Sequence, residues 1–326
     1  MIINKITDFE LSFDKALSKK STYLVIVFLV AISLASRPIP WAKDDLNYLN
    51  YVVYSDVLLD NTITKSFSNP LFFLVNEPFW LFINHLLGSI VQPEMVLRIV
   101  IFFSTFLVLL SLGKLTNYSL WTVFFFFIVS QILKNHITHL RQGLALGIFL
   151  FGLVIKGRTG LVLRMLSPFV HTSFWFMLFL EFFEQVARKI RLSISVKLLL
   201  FAVLTFAIIL SLPFIVEIFG DRRFSEYEFR LAQSASFLGF MWWIVLGTLF
   251  FLGTRKNKIS TLSTYGIVFY LVSYFFLDFG ARLFENVEPL ILAVMLTSTK
   301  EFKFVFGMLM FLYGALGWYF RGGISF

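Results

Sequence analysis

The chain has 326 residues, of which 58 % are hydrophobic, 19 % aromatic and 14 % charged, with a mean hydropathy of +0.83. A soluble domain carries about 45–50 % apolar and about 25 % charged residues, so water-soluble and disordered chains are excluded. Lys and Arg exceed Asp and Glu by 28 to 19, for a formal charge of +9; beside such long apolar runs the excess reads as positive charge flanking membrane helices, with no nucleic acid implied. The lack of cysteine excludes disulfides, thiol catalysis and Cys-based metal sites.

The apolar runs at residues 23–36, 121–133 and 304–320 are continuous. That excludes an outer-membrane barrel and predicts an all-α polytopic membrane protein. It is read as a single integral membrane domain over residues 1–326, with about nine to eleven spans of about 20 residues each. Residues 1–20 are polar, bear Lys5, Lys15, Lys19 and Lys20, and are expected in the cytoplasm. Residues 21–36 form the first span, read as a retained anchor because a long lysine-bearing segment precedes it. Pro38 and Pro40 end it.

An outer loop over residues 37–70 follows. Residues 44–58 in it suit a short amphipathic helix with Asp44, Tyr48, Tyr51 and Ser55 on one face. Residues 71–91 are apolar but interrupted by Asn76, Glu77, Pro78, Asn84 and His85, the pattern of a re-entrant segment lining a cavity. Spans are expected at 95–113, 119–133 and 141–155. Residues 161–186 contain Arg164, Pro168 and His171 and read as a second broken element, with His171 near its apex. Further spans fall at 196–219, 236–252, 261–278, 284–298 and 304–320, with an outer loop at 220–236. This arrangement puts most lysines inside. Letting both broken segments span fully reverses residues 95–160 with almost the same lysine bias, so the charge rule leaves both arrangements open. No internal repeat stands out.

An ionisable group at membrane depth costs a few kcal/mol or more, so its presence points to function. Four clusters stand out, all expected on one side. In the first, Arg37 accompanies Asp44, Asp45 and Tyr48; a carboxylate beside aromatic rings suits sugar recognition, and an ordinary solvated loop helix has the same composition. The second holds His136, His139, Arg141 and Gln142. Two histidines three apart suit a metal, but no third ligand is near. Arg141 opens a helix, where a guanidinium and a helix N-terminus converge on an anion; an arginine snorkelling to headgroups is the plainer alternative. The third is His171, either an acid–base group or a packed core residue. The fourth joins Arg222, Arg223 and Arg230 to Arg282. No Walker loop, GxGxxG, HExxH or GxSxG pattern is present.

In order, the chain shows Arg37…Asp44-x-x-x-Tyr48, Glu77-Pro78-Phe79, Arg141-Gln142-x-x-Ala145, Phe169-x-His171-x-Ser173, an Arg/Tyr loop and Arg282. This order resembles the EpsG family of bacterial polysaccharide polymerases, related to the Wzy-type O-antigen polymerases, over residues 37–290. Ala42-Lys43 and Phe79 stand where the family often has glycine. The resemblance implies a GT-C-like membrane glycosyltransferase at the outer face of the bacterial plasma membrane. It would transfer a growing glycan from one polyprenyl diphosphate to a second lipid-linked repeat unit, building O-antigen, capsule or exopolysaccharide. The lipid diphosphate is the leaving group, so no nucleotide sugar and no cofactor is implied, and no metal where arginines neutralise the diphosphate. Arg141 and Arg282 are the first choices for that role, Arg222 and Arg223 the second. His171 would take the acceptor proton, with Asp44 or Glu77 as the competing base. Asp44, Tyr48 and Trp41 would orient sugars, and Arg37, Glu77 and Gln142 would complete the substrate site. Membrane lipid and a chain-length regulator are the implied partners. A ligase-like transferase and a flippase for lipid-linked glycans are the rival readings; neither a large late outer loop nor an inverted repeat supports them.

Overall fold

The computed structural model describes residues 2–219, 236–277 and 279–320, and among these the chain is helical without a strand. The helices are α1 (Ile2–Ala35), α2 (Asp45–Val53), α3 (Ser55–Ser68), α4 (Pro70–Val75), α5 (Pro78–Gly88), α6 (Pro93–Leu115), α7 (Trp121–Ile128), α8 (Ser130–Lys134) and α9 (Leu140–Val154). They continue with α10 (Gly157–Val170), α11 (Phe174–Lys189), α12 (Ile194–Phe219), α13 (Phe237–Gly253), α14 (Lys258–Ser273), α15 (Gly280–Glu285), α16 (Glu288–Thr297) and α17 (Lys300–Phe320).

Among the described residues four helices are long and apolar enough to cross a membrane: Ser18–Ala35 within α1, Pro93–Leu115, Ile194–Ser211 and Lys300–Tyr319. Several expected spans are instead shorter or divided. Residues 119–133 break at Val129, which leaves α7 and α8 with 8 and 5 residues. Carbonyls freed at such a break need a donor at membrane depth. The indole of Trp318 on α17 supplies it, at 3.3 Å from Phe127 O and 3.0 Å from Ile128 O. The expected span at 284–298 divides at Asn286–Val287, between α15 and α16. Residues 2–20 of the polar N-terminal segment belong to α1, since no proline or glycine interrupts residues 2–35. The loop at 37–70 holds two helices, α2 and α3, which pack on α5.

α1 and α6 run antiparallel, with the C-terminal end of α1 beside the start of α6. Arg98 Nη1 donates to Ala35 O at 2.8 Å and to Arg37 O at 3.1 Å, satisfying carbonyls that α1 leaves unpaired at its end. Lower down, the Tyr23 hydroxyl donates to Leu109 O at 2.7 Å. Gly113 makes this close approach feasible, because a Cβ there would run into the Tyr23 ring. Lipid tails are as apolar as leucine, so such packing and interhelical hydrogen bonds, more than water exclusion, hold a bundle together in a bilayer.

Arg164 is not a helix breaker, as its place in the sequence suggests, but a cross-link. Its Nε lies 2.8 Å from Glu181 Oε2 and its Nη1 2.6 Å from Gly152 O, while Lys258 Nζ reaches Glu181 Oε1 at 2.5 Å. Pro168, four residues on, cannot donate to Arg164 O. Ser167 Oγ takes over at 2.7 Å, so α10 continues to Val170. Beside this cluster Glu184 accepts from the Tyr265 hydroxyl at 2.6 Å and from Lys197 Nζ at 3.2 and 3.3 Å. These contacts tie α9, α10, α11, α12 and α14 together at one end of the bundle.

Candidate active site

At the other end, several helix breaks meet. The α4–α5 break puts Glu77 at the N-cap of α5, with φ +53° and ψ +49°. A left-handed backbone at a residue with a side chain costs of order 1–3 kcal/mol and persists where its surroundings hold it. Pro78, at the first helical position, fixes the exit. The α10–α11 break presents His171, Thr172 and Ser173. The turn between α8 and α9 leads into Arg141 in the first turn of α9.

Glu77 is the hub. It is 2 % exposed, and one carboxylate oxygen accepts from Arg141 Nη1. The other lies 3.3 Å from the Thr172 backbone N–H and 3.3 Å from His171 Nδ1. The Arg141 guanidinium is centred 5.0 Å from the Tyr51 ring and 6.0 Å from the Tyr48 ring, and its Nη1 reaches the Tyr51 hydroxyl at 3.4 Å. Its buried Nε has no hydrogen-bond partner. Glu77 thus joins Arg141 and His171, residues far apart in sequence, through its two carboxylate oxygens.

A second strand of polar contacts ties the breaks together. Gln142 Nε2 donates to Asn286 Oδ1 at 2.9 Å and to Arg282 O at 3.1 Å, and Asn286 Nδ2 donates to Ser173 Oγ at 3.1 Å. His139 Nδ1 lies 3.9 Å from Glu285 Oε2. Arg282 is exposed on α15. Gly143 lets the 135–139 turn lie against α9, since a Cβ there would collide with Asn135 O.

The first sequence cluster resolves into a clamp made by Asp45. Arg37 grips both Asp45 oxygens at 2.6 Å, a two-pronged contact, and also donates to Ile137 O at 3.1 Å. Asp45 Oδ2 accepts from the backbone N–H of Trp41 and Ala42 at 2.9 and 3.0 Å. Burial alone would raise this carboxyl, but Arg37 and the two N–H groups hold it below the usual carboxylate range. The buried residues of α2 are Asp45, Tyr48 and Val52. Of the expected face, Tyr48 and Ser55 are buried and Tyr51 meets Arg141, while Asp45 takes the inward place expected of Asp44 because its carboxylate turns back onto the loop. Asp44 is half-buried at the N-cap. Tyr48 is buried, and burial pushes its phenol up to about 12 despite the nearby Arg141 charge, so it stays a hydrogen-bond donor at neutral pH.

His136 is separate from His139. Its ring is fully buried against Phe126, with Nδ1 3.2 Å from Ser104 Oγ, and among the described residues no three His, Asp or Glu side chains converge as a metal group. Arg222, Arg223 and Arg230 lie outside the described residues. The sequence grouped Arg37 with Asp44, Asp45 and Tyr48, and the structure pairs it with Asp45; sequence reasoning passed over Glu285, Asn286 and Glu288. The last three are polar residues at the head of an apolar run, all buried, which is the signal that would have found them.

Long apolar helices and a buried ionic centre at the helix breaks of one end are the features of a polytopic membrane protein with a polar site at one face. The chain belongs to the EpsG family, whose model matches residues 21–323. This is a family of Wzy-like polysaccharide polymerases, so membership points to polysaccharide polymerisation, a glycosyltransferase-like activity. No curated relative and no solved structure matches the chain.

Proposed function

We propose that this protein polymerises polyprenyl diphosphate-linked repeat units at the outer face of the bacterial plasma membrane, in the manner of a GT-C-like glycosyltransferase. The products are of the O-antigen, capsule or exopolysaccharide kind, and a chain-length regulator is the expected protein partner. The observation that carries this reading is the Arg141–Glu77–His171 arrangement at three helix breaks.

In the reaction, the bond between the anomeric carbon and the diphosphate oxygen breaks, and its electron pair leaves with the polyprenyl diphosphate. The acceptor hydroxyl oxygen forms the new glycosidic bond, and its proton passes to a base. Arg141 is the group for the leaving diphosphate. In the resting protein its charge is held by Glu77; the incoming diphosphate takes the guanidinium over, with Tyr48 and Tyr51 hydroxyls alongside. A fixed cation in a water-poor site stabilises the developing charge strongly. Arg282 and the loop arginines Arg222 and Arg223 assist at the second phosphate. His171 Nδ1 lies 3.3 Å from both Glu77 Oε1 and the Ser173 backbone N–H. Glu77, released from Arg141, accepts from Nδ1–H in place of the Ser173 contact, which leaves Nε2 as the acceptor for the proton. Gln142, Asn286 and Ser173 hold the helix breaks in register, Arg37 fixes the loop that carries Tyr48, and Asp44 faces the sugar.

The test is a gel of surface polysaccharide from a deletion strain complemented with wild type or His171→Ala. A ladder from wild type, cut to one repeat unit by the variant, is the expected result. A full ladder from both removes His171 as the base. If lipid-linked units fail to reach the outer face in the deletion strain and wild type restores them there, the protein is a flippase and the proposal fails.

A further inference from the structure

We propose a second anion site at the end of the bundle opposite Arg141, built to take the phosphate headgroup of an anionic phospholipid. From Phe174 to Arg188, α11 rises about 21 Å, so this site is about one leaflet or more away from the Glu77 centre. A cavity of about 340 Å³ opens there between the end of α11 and the starts of α12 and α14. Arg188, Lys197, Lys256 and Lys258 line it, against the single carboxylate of Glu184. An adjoining cavity of about 480 Å³ shares Arg188 and Lys258, adds Lys189, and has no acid in its lining.

The cations differ in what they already do. Lys197 and Tyr265 satisfy Glu184, and Lys258 is held by Glu181 at 2.5 Å. Arg188 has only a loose 3.5 Å contact to Glu184 and is 59 % exposed. Lys256 is exposed, resting over the Phe251 ring at 4.5 Å. The carboxylate inside is therefore already matched, and Arg188, Lys189 and Lys256 face the opening with charge to spare. Basic pockets between helices at a membrane face bind anionic headgroups, and arginine suits phosphate geometrically.

The surroundings favour a lipid over a free anion. Next to the cavities Ile190, Leu199, Leu200 and Val203 are exposed and apolar, and only 17 % of the α12 span is buried. Acyl chains can lie along that face while the phosphate sits among the cations; inorganic phosphate has no use for it. The pocket does not depend on the polymerase reading.

The test uses the full chain in detergent, with native mass spectrometry of retained lipid and thermal unfolding as readouts. Short-chain phosphatidylglycerol, phosphatidylcholine and inorganic phosphate are the probes. Wild type should retain and be stabilised by phosphatidylglycerol alone. Each cation near a membrane surface is worth about fivefold in anionic-lipid affinity, so Arg188→Ala/Lys256→Ala should lower phosphatidylglycerol retention by about 25-fold. If that variant unfolds early in phosphatidylcholine, Arg188→Gln and Lys256→Gln are measured singly, each with a fivefold loss expected. Equal retention by wild type and variants, or equal retention of both lipids, overturns the site. Protection by inorganic phosphate matching that by phosphatidylglycerol overturns the lipid as its occupant. None of these outcomes bears on His171 or on the polysaccharide ladder.

Discussion

The two ends of the bundle both bury carboxylates with basic partners, but they are built differently. Around Glu181 and Glu184 the acids sit inside an intact helix, α11, and their partners come from ordinary helical positions on α10, α12 and α14. Around Glu77 the acid stands on a left-handed backbone, Arg141 and His171 flank helix breaks, and the Arg141 Nε is buried without an acceptor. The first is a clasp, with each carboxylate held by several donors from neighbouring helices. The second keeps strain and an incompletely used guanidinium, which is what the proposed diphosphate site would need. Charge burial alone does not separate the two centres; the helix breaks and the left-handed backbone at Glu77 do.

The sharpest break in this comparison comes from the clamp beside the site. Arg37→Ala leaves Asp45 buried without its partner, which costs about 3–5 kcal/mol and should appear as a large fall in unfolding temperature. The wild-type contribution has a defined pH dependence. The Asp45 carboxyl is held low by Arg37 and two N–H groups, so its stabilisation is present above the unfolded-state value of about 4 and is lost as pH falls through the lower folded-state value. Arg37→Ala should remove that acid-limb loss.

At the centre itself, Glu77→Gln keeps the shape but frees Arg141 and no longer orients His171. Polymer formation should fall by about 10²–10³-fold; full ladders from this variant would make Glu77 as structural as Glu181. Gly143→Ala drives a Cβ into Asn135 O and should cost about 1–3 kcal/mol, together with polymer length, because it moves the turn that positions Arg141. At the other end Tyr265→Phe removes one hydrogen bond to Glu184. A loss of about 1 kcal/mol in stability with an unchanged ladder is expected, and a shortened ladder would erase the distinction between the two ends.

Much of this layout is legible in the sequence because the bilayer penalises polar groups. Glu77-Pro78, Arg141-Gln142 and His171 announce themselves against apolar surroundings, and the broken elements at 71–91 and 161–186 follow from their polar residues and prolines. The division of 119–133 is not legible: Val129 carries no breaker, and the cost is met by Trp318, nearly 190 residues away. Arg164 misleads for the same reason, since its partner Glu181 is visible only once α10 and α11 are side by side. The choice of Asp45 over Asp44 rests on the turn made by residues 37–42, which helical spacing does not encode.

The most direct test of the central claim is turnover by purified protein in nanodiscs. Wild type and Arg141→Lys would receive polyprenyl diphosphate-linked repeat units, with released polyprenyl diphosphate and polymer length measured and unfolding temperatures compared. Lysine keeps the charge but loses the planar fork. The account predicts release falling by about 10²–10³-fold at a similar unfolding temperature. Wild-type release and polymer length in Arg141→Lys would contradict it, and would leave the Glu77 centre as a second structural clasp.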